Sequence, residues 1–179
     1  MKERKIGPAV VRLLQGDITT CEVDALINVS GRPLAVPAAR NGDCPVCENL
    51  EHTLFSGENS DKAVVMTPCL NLRARHILNA LSIETTTTSG AKKIRRTMRS
   101  ILEEAHDQEL ESLAIPAIGT GIGRFPLEKS AEILLEELAR SVSQPDNHLR
   151  RVIFVLENQK SYKIFEQVLE QFDYAEYLS

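Results

Sequence analysis

Ala114-Ile115-Pro116-Ala117-Ile118-Gly119-Thr120-Gly121-Ile122-Gly123-Arg124-Phe125-Pro126 is the stretch of this 179-residue chain best suited to hold an anion. It reads as strand, glycine-rich turn, helix. Three glycines at alternate positions let backbone N–H groups approach a phosphate with no Cβ in the way. The helix that opens at Pro126 adds the positive end of its dipole. Taken alone, a plain tight turn explains the same residues equally well. Neither familiar phosphate loop is present: no Gly-Lys-Ser/Thr follows, and the spacing is not G-x-G-x-x-G.

Cys44-Pro45-Val46-Cys47, with His52 beyond, has the bite of half a zinc site, since thiolate and imidazole are both suitable ligands. The second half is missing, because no further C-x-x-C or H-x₃-H exists and Cys21 and Cys69 stand apart. Ordinary reduced cysteines in a loop are therefore the first reading, ahead of zinc and of a redox dithiol, and no cofactor is expected. His76, His106 and His148 pair with no nucleophile at a telling spacing, which leaves a Cys-His hydrolase without support.

The residues that must position this turn alternate between two patterns. Ala9–Leu14, Ala25–Asn28, Ala63–Met66, His76–Ala80, Leu113–Ile115 and Val152–Leu156 read as strands. The last has no polar alternation, as expected of a strand covered on both faces. Between them, Ile94, Met98, Ile101, Leu102 and Ala105 make the apolar stripe of a long helix after Ser89, a suitable N-cap. Leu127, Ala131, Leu134, Leu135 and Leu138 make a second stripe behind Pro126, read as the first helical residue. Phe165, Val168, Leu169 and Phe172 make a third. The alternation predicts one domain with a three-layer α/β/α sandwich and a mixed, largely parallel sheet. Val29 to Ser60 stands outside the pattern, with three prolines and only Leu50, Leu54 and Phe55 hinting at a short helix. A segment of that length without periodicity is usually functional or mobile.

Composition sets outer bounds. Hydrophobic residues at 42% and charged residues at 26% are those of a chain that folds. With 21 Lys and Arg against 25 Asp and Glu, the net charge of −4 gives no bulk attraction to nucleic acid or anionic lipid. The run Lys92-Lys93-Ile94-Arg95-Arg96 reads as a solvated helix face. No apolar run approaches a membrane span, and no signal-peptide core follows the N-terminus. An intracellular place, cytoplasmic or nuclear, is the expectation.

Several ordered motifs together resemble one family. Val11-Arg12-Leu13-Leu14-Gln15-Gly16-Asp17-Ile18-Thr19, then Val23-Asp24-Ala25-Leu26-Ile27-Asn28, then the Pro-Ala-Ile-x-Thr-Gly-Ile loop before Phe-Pro, are similar to the macrodomain signature. Asp61 to Ala80 looks like the family's middle strands. The resemblance covers nearly all of the chain outside Val29–Ser60 and the termini. It implies that Asp17 accepts a hydrogen bond from an adenine amino group, with the Ile18 backbone facing the same ring. A turn residue bonding its own backbone is the alternative for Asp17. It further implies that Ile118, Gly119, Thr120, Gly121, Ile122 and Gly123 hold a diphosphate and distal ribose, and that Phe125 walls that ribose or serves as a core aromatic.

The chain departs from the family after Asn28. Asn-Ala-Ala-Asn and a glycine run are replaced by Asn28-Val29-Ser30-Gly31-Arg32-Pro33, which puts Gly31 where the second Asn would stand. The resemblance thus implies a module that binds ADP-ribose or ADP-ribosylated protein. Two other readings stand beside it: a mono-ADP-ribosyl-protein hydrolase, with Asn28 as its candidate for placing water, and a scaffold that has lost the ligand and serves protein interaction.

Overall fold

The computed structural model describes residues 2–29, 64–68, 72–80, 90–120 and 125–177. Its strands are β1 (Lys2–Ile6), β2 (Ala9–Gln15), β3 (Ala25–Asn28), β4 (Val64–Pro68), β5 (His76–Ala80), β6 (Ser112–Pro116) and β7 (Arg151–Leu156). They form one sheet in the order β1-β2-β7-β6-β3-β5-β4. The five inner strands run parallel, and β1 and β4 close the two edges antiparallel. This is the mixed, largely parallel sheet that the sequence leads one to expect.

Side chains alternate across the sheet and so sort into two cores. Val11, Leu13, Ala25, Ile27, Leu78, Leu113, Ile115, Val152 and Phe154 face a large buried cluster. The three described helices all contribute to that cluster: α1 (Gly90–Asp107), α2 (Leu127–Val142) and α3 (Gln159–Gln171). Each apolar stripe read from the sequence packs there: Ile94, Met98, Ile101, Leu102 and Ala105 are buried, while Leu127 and Phe172 of the other two stripes are partly buried. Phe154 of β7 and Phe165 of α3 meet at 5.6 Å between ring centroids, both fully buried. Truncating either to alanine would cost about 3–5 kcal/mol. The opposite face carries a smaller cluster of Cys21, Val23, Leu26, Ala74, Ile77, Ala114 and Val155, with Ile18 and Leu72 packed against it. Ser89, Thr85–Thr88 and Leu50–Phe55 lie outside the described residues.

Three details differ from the sequence reading. Lys2–Ile6 is a strand although its charges hide any apolar alternation: it pairs with β2 through a turn at Gly7, whose φ of +56° is open to glycine. Charged residues on such an edge discourage pairing with other chains. Pro126 is the residue before α2 and not its first helical one, with ψ at 126°. The basic run of α1 is only partly solvated, because Arg95 turns inward to bond Glu136 and Glu137 on α2. Among the described residues, no helix is long and apolar enough to cross a membrane.

Candidate functional site

Parallel strands place all their carboxyl ends on one edge of the sheet, and open α/β sheets use that edge for ligands where the chain switches direction across them. Here the chain leaves β2, passes over β7 and β6, and returns as β3. The ends of β2, β6 and β3 carry Asp17, the Ala117–Thr120 turn and Asn28 respectively. The sheet therefore gathers the sequence-derived residues at one edge.

Asp17 is the N-cap of a 3₁₀ turn, Ile18–Thr20, its Oδ1 accepting the Thr19 N–H at 2.9 Å. The Thr20 hydroxyl donates to the Asp17 carbonyl at 2.7 Å, which closes the turn. The Asp17 carboxyl sits below the usual carboxylate range because the Thr19 N–H stabilises its charged form. The alternative reading of Asp17 as a turn residue is thus observed. The side chain is nonetheless exposed, while Ile18 behind it is half-buried on the smaller core. The 3₁₀ turn rests against β6, so the acid is fixed beside the strand that leads into the glycine turn.

The glycine turn is tied down from beneath. Ser130, in the first turns of α2 and fully buried, donates its hydroxyl to the Ile118 carbonyl at 2.6 Å. The Phe125 N–H reaches the Gly119 carbonyl at 3.3 Å, and the Thr120 hydroxyl donates to the Ala117 carbonyl at 2.9 Å. Across a planar trans peptide the next N–H points opposite to its carbonyl, so the Phe125 contact turns the Thr120 N–H away from the loop's closing end. Gly119 takes φ +81°, where a side chain would be strained. Ile118 and Phe125 are buried and belong to the large core. Gly121, Ile122 and Gly123 lie outside the described residues.

Asn28 is only 5% exposed, and its Nδ2 donates to Asn79 Oδ1 at 3.1 Å. Asn79, 3% exposed, passes its own Nδ2 to Thr67 Oγ1 at 3.1 Å. Neither Asn79 nor Thr67 is visible as a site residue in the sequence. The available signal was an amide interrupting the apolar run Ile77-Leu78-Asn79-Ala80 at the pleat shared with Asn28.

Cys44, Cys47 and His52 fall outside the described residues, among which no three His, Cys, Asp or Glu side chains could hold a metal. Cys21 is a buried thiol, pushed up in pKa first by burial. An open groove of about 1010 Å³ lies between α1, α2 and the C-terminal 3₁₀ turn, lined by Arg99, His106, Glu137, Arg140 and Tyr177 among others. Its walls are the carboxyl halves of α1 and α2, which lead into the amino ends of β6 and β7, so it sits away from the carboxyl edge.

Known proteins resemble this chain in sequence and fold. Residues 46–134 match the family model described as Macro domain. The chain is 27% identical to the ADP-ribose glycohydrolase of Archaeoglobus fulgidus, over 94% of this chain and 96% of that protein. Its fold superposes on the Oceanobacillus iheyensis macrodomain solved with ADP, with a TM-score of 0.75, 19% identity and 94% of each chain covered. It also superposes on the Trypanosoma brucei macrodomain in complex with ADP-ribose, with a TM-score of 0.70 and 20% identity over 89% of this chain and 68% of that one. The motif order, the sheet and the family-model match all point to the macrodomain family as the one this chain resembles.

Proposed function

We propose that the chain binds ADP-ribose, free or attached to protein, at the carboxyl edge of its sheet. The observation that carries this is convergence. An exposed carboxylate on the turn after β2, a clamped glycine turn after β6 and a buried amide at the end of β3 share one edge. A carboxylate is acceptor-only and suits an exocyclic amine such as that of adenine. The amides of the glycine turn at Ile118–Thr120 suit the diphosphate, and α2 contributes its positive end. Ile18 supplies an apolar shelf beside Asp17. Solved macrodomains with ADP and with ADP-ribose show that this fold accommodates such ligands.

The test is a calorimetric titration of ADP-ribose into the wild type and into Asp17→Ala. A saturable single-site heat that weakens at least about tenfold in the variant is expected. No heat at high micromolar ligand removes the reading.

Hydrolysis is the second reading, favoured by the similarity to a protein named as an ADP-ribose glycohydrolase. On that reading Asn28 helps to place the attacking water. Gly31 stands where hydrolytic members of the family carry a second Asn, which argues for binding without turnover. Incubating a mono-ADP-ribosylated protein with stoichiometric chain separates the two. Label retained after long exposure excludes hydrolysis, and release excludes a pure reader.

A further inference from the structure

Three neighbouring strands bury polar side chains in one row. Asn28 on β3, Asn79 on β5 and Thr67 on β4 are 5%, 3% and 9% exposed. Register places Asn28 opposite Asn79 and Thr67 opposite Ile77. By alternation all three share the face of Leu26 and Ile77, whose apolar cluster gives way to amides one pleat nearer the carboxyl edge. Each is hydrogen-bonded within the row, as burial of a polar group requires.

The row has a fixed direction. The Ile77 carbonyl can only accept, and both Asn79 Nδ2, at 3.4 Å, and Thr67 Oγ1, at 3.5 Å, approach it. Asn79 Nδ2 also donates to Thr67 Oγ1 at 3.1 Å. Flipping the Asn79 amide would set its oxygen against that carbonyl, so the NH₂ stays on the Thr67 side and the oxygen on the Asn28 side. Asn28 must then meet that oxygen with its NH₂, at 3.1 Å. The Asn28 oxygen is therefore held away from β5. Since β3 lies between β5 and β6, that is the side of the strand leading into the glycine turn. An amide oxygen has two lone pairs, so it can accept from a ligand whatever else it bonds.

We propose that Asn79, backed by Thr67, is a positioning residue that locks the Asn28 amide with its oxygen toward the ligand, where it accepts from a hydroxyl of the sugar beyond the diphosphate. This inference rests on the binding reading above and adds a specificity to it: Asn28 discriminates a ligand that has a distal sugar from one that ends at the diphosphate. An unlocked amide loses that preference by rotating or by offering its NH₂.

The experiment compares ADP-ribose with ADP by calorimetry on the wild type, Asn28→Ala, Asn79→Ala, the double variant and Thr67→Val. Asn79→Ala is expected to weaken ADP-ribose about tenfold while ADP stays within about twofold. The double variant is expected to be no weaker than Asn28→Ala alone, because Asn79 acts through Asn28. Thr67→Val, which keeps a β-branched shape in β4, moves the ADP-ribose to ADP ratio the same way by about threefold. It carries the test if Asn79→Ala fails to fold. Equal losses for both ligands, or losses at 28 and 79 that multiply, overturn the proposal. Wild-type protein that binds neither ligand removes the binding reading and this inference with it. Wild-type binding with an unchanged ratio in the variants removes this inference alone.

Discussion

Asp17 serves two partners with one carboxylate. Its Oδ1 caps the Ile18–Thr20 turn, and the exposed remainder of the group is what the proposed ligand would meet. Because the Thr19 N–H lowers its pKa from 3.8, the charged, capped form is complete at neutral pH and is lost only as pH falls through the lowered value. Affinity for ADP-ribose should therefore stay level from about pH 8 to about pH 5 and fall only in stronger acid. Titrations across that range check it, and a loss centred near about pH 6 would assign the dependence to a histidine instead. Asp17→Asn keeps an oxygen for the Thr19 N–H and so should preserve the turn while weakening binding, whereas Asp17→Ala loses both. Asp17 was legible only through the resemblance of Gly16-Asp17-Ile18-Thr19 to a family signature. Asn79, Thr67 and Ser130 were not, since each acts through a partner distant in sequence.

At the scale of elements, two polar ties hold the strands and helices that aim the site. Asp24 Oδ2 accepts from the Glu111 N–H, the Ser112 N–H and the Ser112 hydroxyl at 3.1, 2.9 and 2.8 Å, joining the start of β3 to the start of β6. Asp24→Ala leaves these donors with only solvent as a partner. It should cost about 2–3 kcal/mol in urea unfolding, with ADP-ribose affinity reduced only as far as β3 and β6 lose register. Glu137 on α2, with a side chain 2% exposed, bonds Arg95 and Arg99 of α1. Burial raises its pKa, but the bonds from Arg99 and Arg95 together outweigh that and hold it below its usual 4.5. Glu137→Gln should lose about 1–2 kcal/mol at neutral pH. That difference should shrink as pH drops through the lowered value and the wild-type carboxylate takes up a proton. Urea midpoints at neutral pH and in acid read both effects. The helix stripes and the apolar strands were readable because burial imposes their periods. The edge strand β1 was not, since its charges serve the exposed side of a pair, and the inward turn of Arg95 depends on a glutamate some forty positions away.

For the whole molecule, the order of motifs along the chain announces the family, but the sheet order alone shows why they meet. Crossing from β2 over β7 and β6 to β3 brings together residues that are about a hundred positions apart. Ligand that binds only the folded chain should raise its stability by about 2.7 kcal/mol at a hundredfold excess over Kd, which a thermal melt would read as an upward shift in Tm. The most direct test follows backbone amide signals by NMR during titration with ADP-ribose. Signals of Asp17–Thr19 and Ala117–Thr120 should move together and saturate at one ligand, while those lining the groove of Arg99, Arg140 and Tyr177 stay in place. Shifts confined to that groove, or none at high micromolar ligand, would contradict a ligand slot at the carboxyl edge of the sheet.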